Sequence, residues 1–208
     1  MKEIYLIRHS GPFVEFDNYS DFQNVIWDDY NRNMLLSVEG EKKSESLANN
    51  VELTNIDEIY CSDSARAIGT GKYIAERNNL KIKLDSRINE RYFGFKTWNE
   101  VEDDFTQKSF NDKNFKYKNG ESLNDLDKRF SSFLKEIIHN ENKKTVIVFH
   151  GIILLSYLIS IGKSEKYDGT KFVISFNGKN ILNGFPSSPG VFKLIIKENK
   201  IFDIEAFN

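Results

Sequence analysis

The chain has 208 residues, 39% hydrophobic and 29% charged, and carries a formal net charge of −2 at pH 7. This length predicts one domain, and the charge balance excludes the broad basic surface of a nucleic-acid-binding protein. No segment has the roughly 18 apolar residues of a membrane span, and the single cysteine, Cys61, excludes an internal disulfide. We therefore expect a cytoplasmic protein without a signal peptide, a membrane partner or a nucleic-acid partner, in which Cys61 fills space in a strand.

Strands and helices alternate along most of the chain. Apolar runs predict strands at residues 3–9, 57–62, 81–85, 145–150, 171–176, 190–198 and 200–207. Amphipathic or apolar segments predict helices that begin near Ser37, Ser64, Ser122 and Gly151, with Ser37 and Ser122 as N-caps. This alternation is typical of an α/β layered sheet, and the polar turn between the last two runs predicts an antiparallel C-terminal hairpin.

Two segments, residues 12–34 and 96–119, interrupt this alternation. Both are polar but contain scattered Phe, Trp and Tyr residues. Long irregular segments of compact domains are often functional covers, and aromatic rings favour a segment that packs onto something. We expect both segments to cover a site.

Two of the three histidines end predicted buried strands. His9 follows the run that ends with Arg8, and His150 follows the run at residues 145–149. Because ligands bind beyond the carboxyl ends of parallel strands, we expect both imidazoles to face one crevice. A hydrogen-bonded structural histidine is the alternative for either ring taken alone. The third, His139, ends an amphipathic helix and is expected to interact with the helix dipole.

An arginine and a glutamate follow two other predicted strands. Arg66 lies one turn into the helix after Ser62, an unfavourable place for a cation unless an anion binds between it, the helix N-terminus and Arg8. Glu90 follows the strand at residues 81–85, and a bound phosphate nearby would raise the pKa of its carboxyl. The alternatives are a solvated Arg66 and a surface salt bridge of Glu90. No metal-ligand, phosphate-loop or dinucleotide motif occurs, so we expect no metal and no cofactor.

Motifs of one protein family occur in order between residue 4 and about residue 156. They are "LIRHS", "LSVEGEKKSESLA", "CSDSARAIGTGKYI", "INERYFGF", "NGESLNDLDKRF" and "VIVFHG". Together they resemble the histidine phosphatase superfamily, whose fold is phosphoglycerate mutase-like. The resemblance implies a three-layer α/β/α sandwich with a mostly parallel central sheet, formed as one histidine phosphatase domain over residues 1–208.

The resemblance also implies a mechanism and a set of site residues. His9 would attack phosphorus and become a phosphohistidine, and Glu90 would protonate the leaving oxygen. The oxygens of the phosphoryl group would be held by Arg8, Arg66 and His150. Further substrate contacts would come from Ser10, Ser62, Arg91, Tyr92 and Gly151. The partner implied is a small phosphorylated metabolite, with no cofactor, and a homodimer stays open.

Several positions depart from the family pattern. Ser10 replaces the glycine that follows the catalytic histidine, and its hydroxyl could donate to the phosphate. Glu15 stands where an asparagine is often found, so we expect the 12–34 segment to follow another path. Residues 95–119 are short and contain no arginine for a second charged end of the substrate, which favours a phosphatase. A phosphoglycerate mutase-type isomerase and a non-catalytic phospho-ligand binding module are the alternatives.

Overall fold

A computed structural model describes residues 1–14 and 23–207 of the chain. The strands in these residues are β1 (Lys2–Arg8), β2 (Glu58–Cys61), β3 (Ile82–Leu84), β4 (Lys144–Phe149), β5 (Lys163–Asp168), β6 (Lys171–Phe176), β7 (Lys179–Gly184), β8 (Gly190–Lys197) and β9 (Lys200–Phe207). The α-helices are α1 (Trp27–Asn33), α2 (Val38–Ala48), α3 (Ala65–Arg77), α4 (Phe105–Asn111), α5 (Leu123–His139) and α6 (Gly151–Ile161).

A six-stranded sheet organises the fold, with the order β3-β2-β4-β1-β8-β9. The four strands on one side are parallel, while β8 runs antiparallel to β1 and β9 antiparallel to β8. Arg8 pairs with Phe149, and Cys61 pairs with Val148, so β1, β4 and β2 end at the same edge of the sheet. The predicted α/β class, the mostly parallel sheet and the antiparallel C-terminal hairpin are confirmed.

The sheet has a hydrophobic core on each face. Successive residues of β1 alternate between the two: Ile4 and Leu6 belong to one core, and Tyr5 and Ile7 to the other. Helices α5 and α6 pack on the first face, and α2 and α3 contribute to the second. Because β1 is covered on both sides, its central residues 4–7 are buried and mostly apolar, and its charged residues stand at the two ends of the strand.

The helix starts follow from local capping. The Ser37 hydroxyl accepts a hydrogen bond from the backbone N–H of Gly40, and Ser122 forms a capping box with Asp125. Helix α3 begins after Ser64, whose side chain makes no capping hydrogen bond. All four predicted helices are present, and α6 is apolar almost all round because most of it is buried.

A second sheet, with the order β5-β6-β7, follows α6. Only β6 was expected from the sequence. The flanking strands are rich in lysine and asparagine and largely exposed, so they lack the apolar alternation that indicates a strand. Antiparallel pairing with β6, rather than intrinsic propensity, places them in the sheet.

The two irregular segments meet each other through aromatic rings. Trp27 of α1 lies 4.9 Å from Trp98, centroid to centroid, and its backbone N–H donates to Lys96 O over 2.9 Å. Phe93 and Phe95 extend the same cluster. The expected path around Glu15 lies outside the described residues.

Candidate active site

His9 stands at the carboxyl end of β1 and is 5% exposed. Its backbone N–H donates to Phe149 O over 2.9 Å, and the Ser188 hydroxyl donates to its carbonyl over 2.7 Å. The ring Nδ1 lies 2.7 Å from Ser10 O. Because a carbonyl can only accept, Nδ1 carries the proton and the lone pair is on Nε2.

Arg66 connects His9 to the second histidine. Its Nε donates to His9 Nε2 over 3.1 Å, and its Nη2 lies 3.0 Å from His150 Nδ1. The arginine is 3% exposed although it lies in the first turn of α3. The described residues form no ion pair with this buried guanidinium, so its place fits a bound phosphate.

His150 follows β4 and is fully buried. Its ring centroid is 5.2 Å from that of His9, because β1 and β4 are parallel neighbours that end together. Its Nε2 lies 2.7 Å from the Ser62 hydroxyl at the end of β2. The two imidazoles therefore face one crevice, as expected from their positions in the sequence.

Arg8 adds a second guanidinium to this crevice. One of its terminal nitrogens donates to Pro186 O, and the guanidinium lies 4.9 Å above the Phe185 ring. Its buried Nε has no hydrogen-bond partner among the described residues. A Cβ on Gly151 would lie 3.0 Å from that nitrogen and 2.7 Å from the Phe185 ring, so only glycine fits beside Arg8. The unmatched donor indicates a position for an anionic oxygen.

Glu90 places a carboxyl at the mouth of the crevice. Its side chain is 14% exposed, and its Oε2 lies 3.9 Å from His150 Nδ1. Its Oε1 accepts a hydrogen bond from the backbone N–H of Arg91 over 2.9 Å. The Arg129 guanidinium donates to the backbone carbonyl of Glu90 over 3.2 Å and so holds this loop in place.

Burial sets the protonation of these groups. It is the largest cause that lowers the pKa of His9 to about 3, and the charges of Arg66 and Arg8 lower it further. Burial and Arg66 likewise hold the pKa of His150 well below 6.5. Burial raises the pKa of Glu90 above 4.5, against the opposing effect of nearby cations. The sequence analysis attributed a raised pKa of Glu90 to bound phosphate, whereas in the structure desolvation is already sufficient.

Four other residues were predicted as substrate contacts, and three of them make side-chain hydrogen bonds within the protein. Ser10 is fully buried, and its hydroxyl donates to Gly40 O over 2.8 Å, so it is not available to a phosphate in this structure. The Ser62 hydroxyl is taken by His150. Arg91 is 3% exposed and donates to Ser109 Oγ and to two backbone carbonyls. Tyr92 is 47% exposed.

Two residues of the site were missed in the sequence. Asn31 of α1 accepts hydrogen bonds from Arg66 with its carbonyl and with its Oδ1, the latter over 2.9 Å. It lies in an irregular segment where no local pattern signals a function. Arg129 supports Glu90 from α5, and its only signal was its place in the motif "NGESLNDLDKRF".

A cavity of about 290 Å³ opens beside Glu90. Helix α1 contributes three of its residues, and the loop after β3 most of the others. Its lining consists of Asp28, Asn31, Arg32, Asp63, Ser64, Ser86, Asn89, Glu90, Arg91, Tyr92, Glu121 and Arg129. It is large enough for a small polar molecule.

The described residues lack both a metal-ligand cluster and a membrane-spanning helix. Over residues 1–14 and 23–207, no three His, Cys, Asp or Glu side chains are grouped as metal ligands. Within the same ranges, no helix has the length and apolar character of a membrane span.

Residues 4–183 match the family model described as histidine phosphatase superfamily, branch 1. The chain belongs to the histidine phosphatase superfamily. The resemblance drawn from the motifs is confirmed, and the chain is a phosphoric monoester hydrolase of this superfamily.

Relatives of known name agree with this membership. Phosphoserine phosphatase 1 of Hydrogenobacter thermophilus is 28% identical over 155 residues, 71% of this chain and 70% of that protein. The native structure of a mycobacterial glucosyl-3-phosphoglycerate phosphatase has a TM-score of 0.67 at 18% identity and covers 93% of this chain and 89% of its own. Its complex with inorganic phosphate has a TM-score of 0.70 at 16% identity, and the match covers 100% of this chain and 96% of that chain. These structures show the shared fold.

Proposed function

We propose that this histidine phosphatase hydrolyses a small phosphate monoester through a phosphohistidine on His9, without a metal. The observation that carries the proposal is the unprotonated His9 Nε2, which is held 3.1 Å from the Arg66 guanidinium. A neutral imidazole is a competent nucleophile near pH 7, and the neighbouring cations attract a phosphate dianion to it.

In the first step, the lone pair of His9 Nε2 forms a bond to phosphorus. The bond from phosphorus to the ester oxygen breaks, and that oxygen takes the proton of the Glu90 carboxyl to leave as an alcohol. Glu90 fits this role because its raised pKa keeps a proton available at higher pH than an exposed glutamate does.

In the second step, water replaces the alcohol beside Glu90. The carboxylate takes a proton from the water as its oxygen attacks phosphorus, and the bond to His9 Nε2 breaks. Inorganic phosphate leaves, and both His9 and Glu90 return to their starting forms. One carboxyl thus serves as acid and then as base.

The guanidiniums would supply the positive charge that this transfer needs. The unmatched Nε of Arg8 and the fork of Arg66 would bind phosphoryl oxygens, which is supported by their burial beside His9. In this structure the Arg66 fork is occupied by the Asn31 amide and carbonyl, which a phosphate would displace. Fixed charges aimed at the transferring group are the main source of catalysis in phosphoryl transfer.

Hydrolysis is favoured over the mutase reaction by the charges of the cavity. A mutase must hold a second anionic end of its substrate. Arg32 is paired with Asp63, Arg129 with Glu121, and Arg91 with backbone carbonyls and Ser109. No cation lining the cavity in the described residues is left unpaired for that end.

The test is to trap the phosphoenzyme. The protein is mixed with O-phosphoserine labelled on phosphorus, because a bacterial relative is named as a phosphoserine phosphatase. Quenching in base should leave a label on the protein that acid removes. His9→Ala should abolish both the label and phosphate release, while the exposed His139→Ala control should retain both. A label that persists in His9→Ala would place the nucleophile elsewhere.

A further inference from the structure

The cavity beside Glu90 lies where the leaving alcohol of the proposed reaction has to go. Glu90 lines it, and so does Asn31, whose Oδ1 lies 2.9 Å from the Arg66 Nη2. A phosphate held by Arg66 and protonated on its ester oxygen by Glu90 therefore directs the rest of the substrate into this space. The inference below rests on that proposed function.

The cations of this cavity are neutralised by the protein itself. Arg32 lies 2.8 Å from the Asp63 carboxylate. The Arg129 guanidinium forms two hydrogen bonds to the Glu121 carboxylate, of 2.8 and 3.0 Å. These pairs leave little free positive charge to attract an anionic substituent on the alcohol.

Among the described residues, the Asp28 carboxylate of this cavity, like that of Glu90, has no arginine or lysine partner. Asp28 is half-buried, and its carboxylate makes no hydrogen bond or ion pair with any described residue. Burial and the adjacent Asp29 raise the pKa of its carboxyl, as expected for a charge that lacks compensation. An added cation would relieve this cost.

The position of Asp28 relative to the phosphate is set by helix α1. Residues three apart on a helix lie on the same face, so Asp28 is the neighbour of Asn31, which contacts Arg66. The carboxylate is thus one helical turn from the phosphate clamp. The half-exposed ring of Tyr92 lines the same cavity, and aromatic faces attract ammonium groups.

We propose that the leaving group of the substrate carries a cationic amine, which the Asp28 carboxylate binds in this cavity. The substrate class is the phosphate monoester of a small amino alcohol or hydroxy amino acid. Asp28 is then the residue that determines specificity, and the ammonium group, rather than any carboxylate, is the feature it recognises.

Three esters of similar size test the charge directly: phosphoethanolamine, 2-hydroxyethyl phosphate and phosphoglycolate, which carry an ammonium, a hydroxyl and a carboxylate. We expect kcat/KM to fall in that order for the wild type. In Asp28→Asn, the kcat/KM for phosphoethanolamine divided by that for 2-hydroxyethyl phosphate should fall by about tenfold. Asp29→Asn, the matched control on the exposed neighbour, should keep the wild-type ratio. A wild-type preference for phosphoglycolate, or a ratio that Asp28→Asn leaves unchanged, overturns the inference.

Binding separates this inference from the proposed reaction. Calorimetric titration of His9→Ala, which lacks the nucleophile, measures the affinities of the same three esters without turnover. Tighter binding of phosphoethanolamine that is lost in His9→Ala/Asp28→Asn supports the ammonium site, even if no ester is hydrolysed by the wild type. Equal affinities in the two backgrounds refute it, even if every ester is hydrolysed.

Discussion

The Arg66 guanidinium bridges the two histidines of the site, with Nε 3.1 Å from His9 Nε2 and Nη2 3.0 Å from His150 Nδ1. Guanidinium nitrogens only donate, so both ring nitrogens accept and both imidazoles are neutral in this arrangement. One side chain therefore selects the tautomer of the nucleophile and orients the second ring. Its fixed fork geometry is what makes this double contact available.

Replacement of Arg66 by lysine tests how much the forked guanidinium contact contributes to catalysis. Lysine keeps the positive charge but cannot reach both rings and a phosphoryl oxygen, so we expect kcat/KM to fall by about 100-fold. Steady-state kinetics on a phosphate monoester measures this. Arg77→Lys is the control, because Arg77 lies at the end of the same helix and its guanidinium donates to the exposed Asn49. Unchanged kinetics of Arg66→Lys would show that charge alone is enough.

Glu90→Gln should slow reactions that need a proton on the leaving oxygen. We expect phosphate release from an alkyl ester to fall by at least about 100-fold, because glutamine cannot protonate the alcohol. For an ester with an acidic leaving group, such as p-nitrophenyl phosphate, the rate of the first turnover should fall much less in Glu90→Gln. Since the acid form is required, wild-type alkyl-ester turnover should also decline as the pH rises through the raised pKa of Glu90.

An equal fall in the first-turnover rate for both esters would contradict the role of Glu90 as the general acid. Glu121→Gln is a poor control because Glu121 supports Arg129. Glu100→Gln, an exposed carboxyl in the second irregular segment, is the matched control and should retain wild-type rates for both.

Acid should destabilise the fold through His9. Its pKa is about 3 in the folded chain against an ordinary 6.5, so the unfolded chain binds more protons between these values. The contribution of His9 to stability is fully present above pH 6.5. It is lost as the pH falls toward 3, at up to about 1.4 kcal/mol per pH unit. Urea unfolding of wild type and His9→Gln at pH 7 and pH 5 measures the difference. The wild type should lose more stability than the variant, and equal losses would show that His9 is not protonated on unfolding.

Gly40→Ala should destabilise the loop that carries the nucleophile. A Cβ at this position would lie 2.1 Å from Gly11 O, and the same Gly40 carbonyl accepts the Ser10 hydroxyl. We expect unfolding free energy to fall by roughly 2 kcal/mol or more, because backbone must move to relieve the clash. Ser46→Ala, on the exposed face of the same helix, should change it little. Thermal and urea unfolding of both variants measure this difference. A Gly40→Ala variant as stable as the wild type would disprove the close approach of Gly40 to Gly11 O.

Local sequence patterns predicted the elements that carry the site. The apolar run before His9 and the serine caps at Ser37 and Ser122 depend on neighbours within a few residues, so they can be recognised without the fold. The polar strands β5 and β7 could not, because their pairing with β6 is decided by contacts between strands.

The roles of individual side chains were harder to predict. Ser10 and Ser62 are in the expected loops, but one hydroxyl donates to the α2 backbone and the other contacts His150. Arg91 was expected at the substrate; it lines the cavity beside Glu90, while its guanidinium donates to Ser109 and two backbone carbonyls. A hydrogen-bond partner is a property of three-dimensional neighbours, and these come from distant parts of the chain.

The sequence by itself determined that a histidine, an arginine and a second histidine stand at the ends of buried strands, since apolar periodicity and strand-breaking residues are local features. Only the tertiary structure decided that β4 lies between β1 and β2, which brings His150 beside His9 and within reach of Arg66. It also decided the cavity beside Glu90 and left the Asp28 carboxylate without a partner among the described residues. The physical reason is that burial, and with it each pKa and each unmatched charge, depends on which distant residues the sheet brings together.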